Sequence, residues 1–425
     1  MTEPSPPLRT EIVAGITTFF TMAYVIVVNP AILATEGTGL PFPAVMTATV
    51  VLSASMTLLM GLYARLPYGV APGMGINAFF TFGIILGMKV PWPTALGIVF
   101  WAGVFFLVVS VTGLRVAVAR AIPRNLRAAT SVGIGLFLTF IGLKGAGIVV
   151  SDPVTFVKLG RLDARALLAV AGVGLAVVLL RRKSALAFLV VIASTTALSI
   201  PLGLAKVPAR IVSSPDFSLF GALDYRGALK LSLLPVIVGI LLTDLFDSIS
   251  TFIGVSQAAK LVDEKGEPLR LKEGLLVDAL ATLGAGLMGT SSGTAYIEST
   301  AGVEVGGRTG RTAVVTGLCF LPFLFLGPLA GMVPAHATAP VLVIVGALMF
   351  RSVAALELVR LEDAVPAWLT IALIPLTFSI TQGILWGFVA HAGLYALVGR
   401  ARDVSPATWI LAFVSIGLLM VERLT

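Results

Sequence analysis

Six ionisable residues fall inside long apolar stretches of this chain: Lys144, Asp244, Asp247, Asp278, Glu298 and Glu304. Such groups are costly within a membrane-length apolar run and usually mark a ligand or proton pathway. Asp244, Asp247 and Thr251 follow i, i+3, i+7 spacing, which places them on one helical face. That face either turns toward a polar cavity or joins a structural hydrogen-bond network between helices. Asp247 favours the cavity, and Asp244 is balanced between the two. Glu298 stands in Tyr296-Ile297-Glu298-Ser299-Thr300, directly after a glycine-rich break and at the start of a half-helix. Asp278 and Glu304 lie nearer to span ends and read as structural or solvated, and Lys144 can snorkel to an outer surface. Carboxylates in one cavity suit proton uptake and release. They also accept the N–H groups of a planar heterocycle, or help to build a cation site with backbone carbonyls.

The elements that must hold these groups are membrane helices. The chain has 425 residues, 57% hydrophobic and 12% charged, with a mean hydropathy of +1.03. That composition excludes an ordinary soluble domain, a disordered chain and a collagenous one. Low-charge intervals mark fourteen spans, at 11–33, 43–63, 75–88, 92–113, 127–148, 165–181, 185–204, 231–259, 273–288, 295–305, 311–331, 337–358, 365–380 and 381–399. A further apolar stretch, 406–421, is either interfacial or an extra span. The net charge of +8 reads as the Lys/Arg excess of cytoplasmic loops and not as a nucleic-acid footprint. Clusters such as Arg181-Arg182-Lys183, Arg308 with Arg311, and Arg400 with Arg402 favour a cytoplasmic N-terminus.

Fourteen spans divide into seven and seven, with the long outer segment 205–229 between the halves. An odd number of spans per half inverts the second half relative to the first, a common transporter plan. The third span of each half is short and glycine-rich: Ala71-Pro72-Gly73-Met74-Gly75-Ile76-Asn77-Ala78-Phe79, and Gly289-Thr290-Ser291-Ser292-Gly293-Thr294-Ala295-Tyr296. Residues 75–79 align with 292–296 without a gap. Glycines also permit tight helix packing, but a matched pair of interrupted segments points to a binding site. Backbone that leaves the helix at membrane depth must face protein or a water-filled cavity.

Enzyme signatures are absent: there is no phosphate-binding loop, nucleophile elbow or metalloprotease helix. The chain is therefore expected not to be an enzyme. Cys319 is the single cysteine, and His336 and His391 lie far apart, so no disulfide, metal or cofactor is expected.

In its motifs the chain resembles the AzgA-like purine permeases (hypoxanthine/adenine/guanine permeases), a branch of the nucleobase–cation symporter 2, or xanthine/uracil permease, superfamily. The resembling stretches run in family order along nearly the whole chain. They are Gly15 to Tyr24 with Asn29-Pro30, Ala71 to Phe80, Gly133 to Phe137 with Ile141 to Lys144, Asp244-Leu245-Phe246-Asp247, Gly289 to Thr294, and Glu298 to Val303. The resemblance implies an all-α polytopic membrane protein of fourteen spans in a 7+7 inverted repeat, with short antiparallel strands in broken spans 3 and 10. It implies a core domain from 1–114 and 230–332, a gate domain from 115–229 and 333–400, and a C-terminal apolar segment at 401–425. The gate would supply homodimer contacts. The cargo would be purine bases such as adenine, guanine and hypoxanthine, carried with protons across the cell (inner) membrane. The family's span 8 carboxylate falls on Asp247, its span 10 glutamate on Glu298 and its span 3 asparagine on Asn77. Asp247 and Glu298 would hold the base by its N–H edge and serve proton coupling, while Asn77 would orient it. Amides near Ser292 and Gly293 would meet ring acceptors, Thr251 and Thr294 complete the expected site, and Phe79 or Tyr296 would stack on the base, although core packing is the commoner role for either aromatic. Two departures are small: Ser250 stands where Gly is frequent in the family, and Ser248 where Thr is frequent.

Two other classes compete. An anion (sulfate-type) transporter of the same architecture would need a positive site, and the central segments offer no Lys or Arg. A channel would favour polar rings in an oligomer, whereas an internal two-fold repeat favours a moving carrier.

Overall fold

The computed structural model describes residues 6–112, 123–263 and 267–424. The domain boundary drawn at 114/115 lies outside the described residues. The first half runs α1 (Leu8–Met22), α2 (Val25–Leu33), α3 (Phe42–Leu59), β1 (Val70–Pro72), α4 (Met74–Ala78), α5 (Trp92–Val111), α6 (Arg124–Gly145), β2 (Val149–Asp152), β3 (Phe156–Leu159), α7 (Ala164–Arg181) and α8 (Ala187–Ser199). The second runs α9 (Leu234–Ala259), α10 (Leu271–Met288), β4 (Gly293–Ala295), α11 (Ser299–Val305), α12 (Gly310–Phe320), α13 (Ala335–Phe350), α14 (Leu361–Thr377), α15 (Ile380–Leu397) and α16 (Pro406–Leu424).

Local sequence explains many of these ends. Prolines stand in the first turn of α3, α5 and α9, where an amide donor would lack a helical partner anyway. Asp163 caps α7 by accepting from the Arg165 and Ala166 amides at 3.0 Å each. Gly289, at φ +96°, ends α10 in the left-handed region that glycine enters without steric cost.

Among the described residues, eight helices are long and apolar enough to cross a membrane. They correspond to expected spans 1, 2, 4, 5, 6, 8, 12 and 14, and shorter apolar helices cover 3, 7, 11 and the C-terminal segment. The first carries a local irregularity: within the run Leu8–Leu33, the helices α1 and α2 meet at Ala23 and Tyr24, which form a turn with right-handed helical dihedrals. A β2–β3 hairpin, antiparallel from Val149↔Leu159 to Asp152↔Phe156, stands where only an outer loop was expected.

Helices from the two halves pack on each other. Helix α1 lies against α11 and α12, α3 against α12, and α5 against α10. A second group joins α6 to α13 and α14, α14 to α15, and α7 to α13. Small residues set the closest approaches. A Cβ added at Gly135 would lie 2.5 Å from the Gly346 carbonyl oxygen, so α6 and α13 touch through backbone. With lipid as solvent, such close packing replaces the hydrophobic drive that assembles soluble bundles. The segment 205–229 is tied over the first group's ends: the amides of Gly221 and Asp224 donate to the carbonyls of Leu287 and Pro93, at 2.8 Å each.

Gly135→Leu is therefore expected to prevent α6–α13 docking, whereas Gly174→Leu, with open space around its Cβ, is expected to be silent. The yield of monodisperse protein after detergent extraction distinguishes them. Equal yields would contradict the packing described.

Candidate functional site

Strands β1 and β4 form a two-stranded antiparallel ribbon, with Val70 opposite Ala295, Ala71 opposite Thr294 and Pro72 opposite Gly293. The ladder continues beyond the strands, since the Tyr296 amide donates to the Gly69 carbonyl at 2.9 Å and the Gly73 amide to the Ser292 carbonyl at 2.8 Å. The gapless match of 75–79 with 292–296 is thus not the correspondence the elements make. In the fold, 70–72 and 293–295 are partners, each followed by a short helix.

A two-stranded ribbon has two open edges, and each unpaired backbone group away from water costs several kcal/mol in hydrocarbon. Side chains meet backbone groups on both edges here. The Thr57 hydroxyl lies 2.9 Å from the Val70 amide and 3.0 Å from its carbonyl oxygen. Pro72 has no amide to satisfy, and its carbonyl accepts from the Tyr296 hydroxyl. On the β4 side, Asp278 accepts from the Ala295 amide at 2.6 Å, and the Thr282 hydroxyl reaches the Gly293 carbonyl at 3.0 Å.

The carboxylates near this ribbon fall into two kinds. Asp244 and Asp278 have no accessible surface. Asp244 accepts from the hydroxyls of Thr282 and Ser292, the latter at 2.7 Å, and Asp278 also accepts from Ser248. Both belong to the ribbon's support. Asp247 is exposed and Glu298 partly so, and both face a cavity of about 100 Å³. The expected single face of Asp244, Asp247 and Thr251 is therefore split. The i, i+4 pair Asp244/Ser248 turns toward α10 and β4, while Asp247/Thr251 turns to the cavity.

The cavity is walled by Gly73 to Ile76 at the start of α4, by Asp247 and Thr251 of α9, and by Thr294 to Glu298. Tyr24, Ile134, Val345 and Met349 complete much of it, and no Lys or Arg is among its lining residues. A larger cavity of about 490 Å³ shares Asp247, Thr251, Ile297, Glu298, Val345 and Met349 and is also lined by Ser184, Ala185 and Arg351. Of the expected site residues, Asp247, Thr251, Thr294 and Glu298 are brought together on this wall. Asn77, Phe79, Ser292 and Gly293 are buried and are not part of it. Asn77 Oδ1 accepts from the Ser291 hydroxyl, Ser292 is bonded to Asp244, Gly293 sits in the ribbon, and Phe79 is 1% exposed in the apolar core.

Tyr24 was not expected at the site. Its hydroxyl donates to Glu298 Oε1 at 2.7 Å, and it lines the smaller cavity. The signal was weak: a tyrosine within an apolar run reads as core or interface unless its partner, 274 positions away, is known. Of the two roles the sequence leaves to Asp278, structural or solvated, its complete burial and its bond to the Ala295 amide support the structural one.

The architecture is that of solved membrane transporters. The transmembrane domain of a cyanobacterial bicarbonate transporter, BicA, matches with a TM-score of 0.67 at 18% identity, covering 89% of this chain and 97% of that one. Murine Slc26a9, an anion transporter in the inward-facing state, matches at 0.60 and 10% identity, covering 94% and 70%. At these identities the likeness is one of fold. The chain belongs to the Permease family (Xan_ur_permease), which it matches over residues 9–385. It is 43% identical over 411 residues to the adenine permease AdeP of Escherichia coli, covering 96% of this chain and 92% of that one. It is 39% identical to the guanine/hypoxanthine permease PbuG of Bacillus subtilis, covering 94% and 93%. The protein is thus a multi-pass membrane permease.

Thr57→Val is expected to strand the Val70 amide and carbonyl and to lower the melting temperature in detergent by several degrees, while Thr57→Ser retains stability. Asp278→Asn, which keeps an acceptor for Ala295, is expected to fold where Asp278→Leu does not. Thermal unfolding followed by tryptophan fluorescence checks both, and a stable Asp278→Leu would remove the edge-closing role.

Proposed function

We propose that this permease imports purine nucleobases (adenine, guanine and hypoxanthine) by proton symport across the cell (inner) membrane, with its N-terminus on the cytoplasmic side. One observation carries the reading: the accessible carboxylates Asp247 and Glu298 face one small cavity whose lining holds no Lys or Arg. Each purine presents N–H donors at its edge, and carboxylates are acceptors of strength suited to them. Thr251 and Thr294 add hydroxyls, and Tyr24 and Tyr296 add aromatic surface for a planar ligand. The relatives named as adenine and guanine/hypoxanthine permeases support this cargo.

Charge argues for the proton. A carboxylate that is carried through the membrane interior without a cationic partner travels at least cost when neutral. Asp247 and Glu298 are the groups available to take up that proton beside the ligand. Asn77, Ser292, Gly293 and Phe79 act at one remove in this reading, by shaping the ribbon and the helix ends that present the cavity.

The transport cycle rests on a two-part build. The fourteen apolar segments are read as fourteen spans in a 7+7 inverted repeat. Residues 1–114 and 230–332 form the core, and 115–229 and 333–400 form the gate, which would also make contacts in a homodimer. The two packing groups described above support this division. The core carries the ribbon and both carboxylates, while the gate contributes Ile134, Val345 and Met349 to the opposite wall. Motion of one against the other would open the site alternately to each side. The larger cavity, lined by Arg351, corresponds in this reading to cytoplasmic access.

In cells without their own nucleobase permeases, the protein is expected to concentrate radiolabelled adenine or hypoxanthine, and a protonophore is expected to abolish the accumulation. Asp247→Ala and Glu298→Ala are expected to lower uptake at least tenfold while membrane abundance is retained. Failure to accumulate any purine under an imposed pH gradient would overturn the reading. Gradient-driven sulfate or bicarbonate uptake would establish the anion alternative instead.

A further inference from the structure

The first helical run has a local irregularity beside Glu298. Helix α1 ends at Met22 and α2 begins at Val25, leaving Ala23 and Tyr24 between them. No glycine or proline stands at the break. Both residues keep right-handed helical dihedrals, φ −63° and ψ −17° at Ala23 and φ −56° and ψ −26° at Tyr24, and both are 1% exposed. Two side chains from this stretch hold Glu298. The Thr21 hydroxyl reaches its carbonyl oxygen at 3.3 Å, and the Tyr24 hydroxyl donates to its carboxylate at 2.7 Å.

The Tyr24 ring has a second partner. It meets Phe188 of α8 edge-on, with centroids 5.0 Å apart and planes at 67°. Tyr24 lines the smaller cavity and Phe188 the larger one. The ring pair therefore joins the helix group that carries the carboxylates to the group proposed as the gate. Among the described residues, one other ring contact links these groups, Lys144 over the Phe82 ring at 5.6 Å, and neither of its members lines these cavities.

We propose that Tyr24 is a positioning residue that couples the ligand-binding carboxylate to the gate: its hydroxyl orients Glu298 toward the purine, and its ring seats on Phe188 to close the wall between the two cavities. The inference rests on the purine-transport reading. Hydrogen bonds to a carboxylate are strong and directional, so losing the hydroxyl frees Glu298 to leave its binding geometry. Losing the Phe188 ring leaves Glu298 held but removes the surface against which Tyr24 packs.

The two halves separate in a paired experiment on purified, full-length protein and on cells. Tyr24→Phe keeps the ring contact and is expected to raise the Kd for adenine or hypoxanthine about tenfold, with the saturating uptake rate within about twofold of wild type. Phe188→Ala keeps the hydrogen bond and is expected to leave Kd within about twofold while lowering the saturating rate about tenfold. A merely structural role would lower abundance and leave both Kd and rate per molecule unchanged. Wild-type protein that binds no purine overturns the transport reading and this inference together. Wild type that binds while Tyr24→Phe matches its Kd overturns the Tyr24 role alone. Should Tyr24→Phe fail to reach the membrane, Phe188→Ala decides: a wild-type saturating rate overturns the coupling, and a lowered rate with unchanged Kd supports it.

Discussion

A strand ribbon buried inside a membrane protein must have every backbone amide and carbonyl answered by protein, because hydrocarbon answers none of them. Much of the centre of this fold serves that requirement. The Thr57 hydroxyl answers the outward amide and carbonyl of Val70 in β1, Pro72 removes a donor that would otherwise be stranded, and Asp278 and Thr282 answer the Ala295 amide and the Gly293 carbonyl in β4. Helices α3 and α10 are held close because their side chains perform this closure. The price of the ribbon is a ring of polar groups around it, and the return is that two half-helices begin at one place.

That requirement sorts the scarce charge. Asp244 and Asp278 are fully buried among hydroxyls and an amide, and they act as acceptors that hold the ribbon. Asp247 and Glu298 keep contact with the cavities. A neighbour three positions away on one helix can thus do the opposite job, because a 100° turn per residue moves Asp247 off the row that faces α10. Sealing one pair inside the scaffold leaves the other pair as the carboxylates open to the cavities.

Several site features were legible in the residues themselves. Asp247 stands out as a charge in an apolar run, and Glu298 as a carboxylate directly after a glycine-rich break. The two broken segments were legible as a matched pair, though not the register of their ladder, since a five-residue similarity along the chain does not say which residues face each other across two strands. Asn77 and Ser292 were legible as polar residues at the right place along the chain. Their direction was not, because the Ser291–Asn77 and Ser292–Asp244 bonds exist only once α4, α9 and the segment before β4 are packed. Phe79 follows the commoner pattern of an aromatic in an apolar run and packs in the core.

Composition and periodicity by themselves determined that this chain is a multi-pass membrane protein, where its eight membrane-length helices lie and which few residues carry charge into apolar runs. These are local properties, decided by the transfer of each segment from water to hydrocarbon. Only the tertiary structure decided which carboxylates are scaffold and which face the cavity. It also placed Tyr24 on Glu298 across 274 positions of chain. The reason is that accessibility belongs to the packed whole: a carboxylate meets a ligand or a supporting hydroxyl according to what the other helices leave open beside it.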